Sequence, residues 1–192
     1  MLIFDLDGTL TVPVLDFDAM RDEIGLPPGP ILESLELLEG AAKEHALGVV
    51  HAHEERAAHN AQLQPNAIEV LSSLRQVGWL IGILTRNARR WANVILDQHG
   101  IEADILLARE DEPVKPSPEP ILRMCAELSC SPSASWMIGD HLMDIQCGSS
   151  AGCRTVLMLG GSDKPDYSDQ ADHVIRVLDE LLAIVGSPND PA

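Results

Sequence analysis

Aromatic side chains are nearly absent from this chain of 192 residues, at 3% for Phe, Trp and Tyr combined. The core must therefore be filled by Leu, Ile, Val and Ala. Cysteine is scarce as well: Cys125, Cys130, Cys147 and Cys153 show no CxxC pairing. They read as reduced, mostly buried thiols rather than a zinc site or a disulfide framework. No apolar run is long enough to span a bilayer. Met1 to Phe4 lead straight into Asp5, with no basic stretch ahead of an apolar one, and the expected compartment is cytoplasmic. Positive charge is also short, with 13 Lys and Arg against 30 Asp and Glu and a net charge of −17. Such a chain repels phosphate backbones and anionic lipid, which excludes broad nucleic-acid or membrane-surface binding.

What is present is ordinary globular material, 45% hydrophobic and 22% charged, in a chain long enough for one domain or one domain with a modest insertion. Short apolar runs without alternation occur at Leu2 to Phe4, Leu80 to Leu84, Ile105 to Ala108, Trp136 to Ile138 and Thr155 to Leu159. They read as strands covered on both faces. Helix-period segments lie between them. Asn66 and Glu69 have capping-box spacing ahead of Val70, Leu71, Leu74 and Val77. Ser117 and Pro118 open a stripe of Ile121, Leu122, Cys125 and Leu128. Trp91, Val94 and Ile95 face inward on a helix that Gly100 can end. Leu178, Leu181, Leu182 and Val185 suggest a closing helix before a frayed tail over 187–192. Alternating strands and helices predict an α/β fold, a Rossmann-like parallel sheet with helices on both faces.

One region breaks the alternation. Residues 15–64 carry helix patterns only, punctuated once by Gly25, Pro27, Pro28, Gly29 and Pro30. This predicts a small all-helical insertion into a core made of 1–14 and 65–192.

In a parallel sheet the carboxyl ends of the strands share one edge, and ligands bind there. Asp5 and Asp7 follow the first strand, Thr85 and Arg86 the second, Asp140 the fourth, and Lys115 lies in the loop after the third. Three close carboxylates call for a cation, and oxygen-only ligands favour magnesium. Magnesium beside a lysine suits a phosphoryl group. A calcium loop does not fit the Asp5–Leu10 run, because its fifth and sixth positions are Thr9 and Leu10 rather than Asp or Asn and Gly.

The run DLDGTL at 5–10, ILTRN ending at Asn87, Lys115 in PVKPSPEPI and GDHLMD from Gly139 to Asp144 resembles, in order, the four motifs of the haloacid dehalogenase-like hydrolase superfamily. The set is similar to the phosphatase branch that contains phosphoglycolate phosphatases, with the insertion where that family carries a helical cap. The resemblance implies a magnesium-dependent phosphatase acting on a small phosphorylated metabolite. Asp5 would be the nucleophile that forms an aspartyl-phosphate, and Asp7 the general acid and base. Asp5, Asp7 (through its carbonyl) and Asp140 would hold magnesium, with Asp144 behind them. Thr85 and Lys115 would complete the catalytic set. Gly8, Thr9, Thr85, Arg86, Asn87 and Lys115 would line the phosphate and substrate site.

The same family contains phosphomutases, which share the Asp7 position, so a mutase is the alternative. A non-catalytic phosphate-ester-binding regulatory protein is a second. The Arg86 position, where the family often has asparagine, allows either a second anion contact to substrate or an exposed arginine near an acidic rim. His51, Glu55 and His59 share a helix face at four-residue steps, either as solvated surface or as a metal site. The motifs name neither the substrate nor the oligomeric state.

Overall fold

A computed structural model describes residues 1–188 of the chain. Strand β1 (Leu2–Phe4) is followed by three helices, α1 (Phe17–Ile24), α2 (Ile31–Glu36) and α3 (Gly40–His59). A regular alternation then begins with α4 (Ala67–Gln76), β2 (Ile81–Leu84), α5 (Arg89–His99), β3 (Ile105–Leu107) and α6 (Glu119–Glu127). It continues with β4 (Trp136–Gly139), α7 (Leu142–Ala151), β5 (Arg154–Met158), β6 (His173–Ile175) and α8 (Leu181–Val185).

The strands form one sheet in the order β3-β2-β1-β4-β5-β6, every neighbouring pair parallel. The chain steps from β1 outward to β3, then returns to the other side of β1 for β4 to β6. The switch in direction falls beside β1, where a doubly wound sheet opens a crevice. Successive residues of a strand point to opposite faces, and Leu2, Ile3 and Phe4 are all fully buried, so both faces are covered. On one face Ile3, Leu84, Leu107 and Met137 pack with Ile121, Met124 and Cys125 of α6 and Cys147 of α7. Trp79, Trp91 and Trp136 are buried, as scarce aromatics in a core should be.

The sixth strand was not foreseen. His173-Val174-Ile175 is short and begins with an exposed histidine, so it offers no apolar run. The capping box expected at Asn66 and Glu69 does not form. Asn66 is left-handed (φ 59°) with no capping bond, and its amide donates instead to the Asp179 carboxylate at 3.0 Å. Ser117 stands one residue outside the cap of α6, which is Pro118, and its hydroxyl accepts from the Glu119 amide at 3.3 Å. The closing helix divides into a 3-10 turn over Leu178–Glu180 and the short α8, with Leu182 exposed. Of the tail expected over 187–192, residues 189–192 lie outside the described residues.

The chain divides into two compact units, Val14–Ala61 and Met1–Pro13 with the chain from Gln62 on. Gln62, Leu63 and Gln64 thus fall with the sheet and not with the helices. The Val12 amide donates to Gln62 O at 2.8 Å and the Gln64 amide to Leu10 O at 2.9 Å, and Thr11 pairs antiparallel with Leu63. In the helical unit α1 and α2 pack on α3 around Met20, Ile31, Leu35, Ala46, Val49 and Val50. The Asp16 side chain accepts from the Ala19 amide at 2.9 Å to start α1, and Gly25, at φ 81°, ends it. Residues 14–16 with His53, Arg56, Ala57 and Asn60 line an open cleft of about 330 Å³.

Candidate active site

The site is built on the strand ends beside the switch point. Asp5 directly follows β1, and its amide donates to Ile138 O at 2.9 Å, which carries the strand pairing one residue past β1 and anchors Asp5 against β4. Lys115 arrives from the loop after β3 and is buried. Its Nζ lies 2.6 Å from Asp5 Oδ1 and 2.6 Å from Asp144 Oδ1. Asp140 follows β4 and accepts from the Thr9 hydroxyl at 3.4 Å. Asp144 lies in the first turn of α7, where its Oδ2 accepts from the His141 amide at 3.0 Å. His141 Nδ1 in turn accepts from the Met143 amide at 3.2 Å, a reciprocal cap that fixes this turn.

Two glycines make the closeness possible. Gly8 has φ +91°, and a Cβ there would stand 2.2 Å from Asp140 Oδ2. A Cβ on Gly139 would stand 2.2 Å from Asp144 Cγ. A side chain at either position would displace a carboxylate.

A second group of contacts surrounds Asp7. Its Oδ2 accepts from Asn87 Nδ2 at 3.1 Å and from the Thr85 hydroxyl at 3.5 Å. The Thr85 hydroxyl accepts from the Asn87 amide at 3.0 Å, and the Thr85 amide donates to Leu107 O at 3.0 Å. Asn87 therefore turns its side chain to Asp7, where the sequence suggested a contact to phosphate.

Burial sets the electrostatics. It pushes the Asp5 carboxyl well above its ordinary value, with Lys115 opposing and the neighbouring aspartates adding to the rise. Asp140 is pushed up to about 7 by burial and then by the Asp144 charge. Asp7 is raised by burial against the hydrogen bonds from Asn87 and Thr85. Burial alone would lower Lys115, but Asp144 and Asp5 overcome it and hold the ammonium charged.

Asp5, Asp140 and Asp144 each offer an oxygen, all within 4.8 Å of one another. When all three carboxylates are ionised they outnumber the one ammonium by two charges, which one divalent cation would cancel. An all-oxygen donor set fits magnesium. The Asp7 carboxylate lies outside this cluster, so any part it takes in holding a metal falls to its carbonyl.

The profile of the haloacid dehalogenase-like hydrolases matches residues 15–158, well over half of the chain. The chain belongs to this family. A haloacid dehalogenase-like hydrolase domain-containing protein of Arabidopsis thaliana is 31% identical over 82% of this chain and 69% of its own. The N-acetylmuramic acid 6-phosphate phosphatase of Pseudomonas aeruginosa is 29% identical, covering 94% of this chain and 95% of its own. The crystal structure of a hydrolase from Pseudomonas syringae superposes with a TM-score of 0.80 at 21% identity, over 95% of both chains. It shows the same fold. The profile match starts after the Asp5–Leu10 run, so the reading of Asp5 and Asp7 in this haloacid dehalogenase-like hydrolase rests on their place at the end of β1.

Sequence reasoning missed Arg109. It follows β3 by two residues, its Nε donates to Arg86 O at 3.0 Å and its amide to Asn87 O at 3.0 Å. Its charge acts to lower the Asp7 pKa. The signal was available, since Arg109 occupies at β3 the place that Arg86 occupies at β2. Arg86 itself reaches across to Met143 Sδ. His51, Glu55 and His59 are all exposed, and the only group of metal-ligating side chains among the described residues is the aspartate cluster. Cys147 is buried behind the site, its thiol 3.0 Å from Ser117 O and pushed up to about 12 by burial, which fits a structural thiol.

Proposed function

We propose that this hydrolase is a magnesium-dependent phosphatase that cleaves a small phosphorylated metabolite through an aspartyl-phosphate on Asp5, in the cytoplasm, with the Val14–Ala61 unit as its cap. The observation that carries the reading is the set of buried Asp5, Lys115 and Asp144 with half-buried Asp140, with Asp7 held beside it by Asn87 and Thr85. The phosphatase name of the Pseudomonas aeruginosa relative agrees with it.

An Asp5 oxygen attacks phosphorus in line with the leaving oxygen. Lys115, tied to the other side by Asp144, holds Asp5 in one orientation and offsets charge as the phosphoryl group arrives. Asp7 gives its proton to the leaving oxygen, and burial favours its protonated form at the outset. It then takes a proton from the water that attacks the aspartyl-phosphate, and Asp5 is released. The Thr85 hydroxyl and the Arg86 amide would hold phosphoryl oxygens. Asp5, Asp140 and the Asp7 carbonyl, with Asp144 behind, would hold magnesium. When bound, it would supply positive charge to the phosphoryl oxygens.

The test is phosphate release from a panel of phosphorylated metabolites with magnesium and with chelator, alongside Asp5→Asn. Release that needs magnesium and falls by about 10⁴-fold or more in the variant is expected. Retained activity in Asp5→Asn removes the nucleophile. Isomerised product that depends on a bisphosphate points to a mutase, and binding without turnover to a regulatory protein.

A further inference from the structure

We infer that Gln64, a residue that neither the motifs nor the strand ends single out, is a positioning residue for the turn after the nucleophile. Its side-chain amide fixes the Gly8 carbonyl, and through the turn it sets the Asp7 carbonyl and the Thr9 hydroxyl at the cation site. The inference rests on the magnesium reading of that site and adds to it a residue from outside the strand ends.

The turn is a closed curl. The Leu6 carbonyl accepts from the Leu10 and Thr11 amides, both at 3.0 Å, and from the Thr11 hydroxyl at 3.2 Å. The Gly8 amide donates to Thr11 O at 3.1 Å. These bonds close the curl without reaching the carbonyl of Gly8, a buried residue. Gln64 does reach it. Its Nε2 donates to Gly8 O at 3.3 Å and to Thr11 O at 3.5 Å, from a side chain that is itself buried. Both acceptors are carbonyls, so only the NH2 end of the amide can face them. Thr11 O also has the Gly8 amide, so the bond to Gly8 O is the one that matters.

Holding the chain in place does not require this side chain. The Gln64 amide donates to Leu10 O at 2.9 Å and the Val12 amide to Gln62 O at 2.8 Å, so backbone pairing already docks 62–64 beside the turn. An apolar side chain of similar volume would fill the space at a lower desolvation cost. What the amide adds is a tie two residues further back, from Leu10 to Gly8. The loop after β5 leaves room for it, since a Cβ on Gly160 would stand 3.0 Å from Gln64 Nε2.

Gly8 explains why a tie is needed. It lies between Asp7, whose carbonyl would hold magnesium, and Thr9, whose hydroxyl donates to Asp140 at 3.4 Å. The approach of Asp140 forbids a Cβ at Gly8, so the residue in the middle of the turn is the one with most conformational freedom. Restraint must come from a neighbour, and Gln64 supplies it. Partners that orient the groups around a metal in this way change its affinity by about 10–100-fold.

The experiment measures magnesium binding by calorimetry, kcat and KM at saturating magnesium, and thermal unfolding. The proteins are wild type, Gln64→Met, Gln64→Glu, Gly160→Ala and Val185→Ala. Methionine keeps the volume and removes the donor, whereas glutamate turns oxygen toward two carbonyls. Val185→Ala truncates a buried side chain of α8 and is the control for a general loss of stability. We expect the magnesium dissociation constant to rise about tenfold in Gln64→Met and further in Gln64→Glu. We expect kcat to fall in both with KM little changed, and Val185→Ala to bind magnesium as wild type does. Gly160→Ala, which presses on Nε2 from outside, should weaken binding in the same direction but less. Unchanged magnesium affinity in the Gln64 variants overturns the inference, and so does an equal change in Val185→Ala, which would make Gln64 merely structural. If neither Gln64 variant folds, Gly160→Ala decides, and wild-type affinity in it overturns the inference. A wild type that binds no magnesium removes the magnesium reading and this inference with it, whereas one that binds it no better than the variants removes only this inference.

Discussion

The two units of the chain handle charge in opposite ways. At the sheet edge Asp5, Lys115 and Asp144 are buried together, and each charge is held by another at 2.6 Å. In the helical unit the charged side chains stand mostly in water, where Asp18 reaches Arg21 and Glu23 lies 2.9 Å from His53. Removing a charge costs a great deal in the first setting, because its partner is stranded in a low dielectric. It costs little in the second, because water and salt take over. The same chain thus contains a place where charge is chemistry and a place where it is solubility.

Lys115→Ala should break the contrast most severely. It strands Asp5 and Asp144, and removal of one partner from a buried pair costs about 3–5 kcal/mol. Denaturant unfolding should show that loss together with the loss of turnover. The Arg21→Ala change in the helical unit should leave stability within about 0.5 kcal/mol. Equal costs at the two positions would mean that the sheet edge is better solvated than its geometry allows.

A cation should sharpen the contrast next. Crowding the carboxylates of Asp5, Asp140 and Asp144 is a folding cost that a bound magnesium ion would remove. Magnesium at a hundred times its dissociation constant should stabilise the protein by about 2.7 kcal/mol, by mass action. Thermal unfolding with and without chelator measures this, and Asp140→Asn should abolish most of the shift. A shift of the same size in that variant would place the ion elsewhere.

Gly139→Ala comes third. Its new Cβ would meet Asp144 at 2.2 Å, so either the carboxylate moves from Lys115 or the strand does. Overpacking of this kind costs about 1–3 kcal/mol. The same change at Gly48, whose Cβ would meet nothing within 4 Å, should cost nothing and gain a little helix propensity.

How far the sequence reveals this division depends on what kind of signal each part leaves. The five apolar runs and the residues after them fixed the sheet and brought Asp5, Thr85, Lys115 and Asp140 to one edge, because a parallel sheet has only one such edge. Other features leave no local trace. β6 is held by pairing with β5, not by its own composition. Asn66 has the residue type of a helix cap, yet Asp179, far along the chain, takes its amide. Asn87 turns to Asp7 because the turn after β2 presents it there, and Arg109 joins Arg86 because β3 lies beside β2. Each of these is a long-range choice between two acceptable local partners, which spacing alone does not decide. The helical unit was legible as helices and as a chain segment, but its boundary was not. Gln62 to Gln64 read as more of the same polar stretch, and only backbone pairing with 10–12 assigns them to the sheet.

The smallest effect is expected in the helical unit, where Glu23 is fully exposed and its carboxyl is held below its ordinary value by the hydrogen bond from His53, with Arg56 and His45 adding to the field. A carboxyl lowered by folding lends stability above its unfolded value and gives it up as pH falls through the folded one. The contribution of Glu23 is thus present from about pH 5 upward and gone well below the ordinary value of 4.5. Glu23→Gln should therefore lower the unfolding temperature slightly near pH 6, match wild type in strong acid, and lose its difference in high salt. A difference that persists in acid or salt would mean that Glu23 is held by packing rather than charge, and that the helical unit resembles the sheet edge more than its exposure suggests.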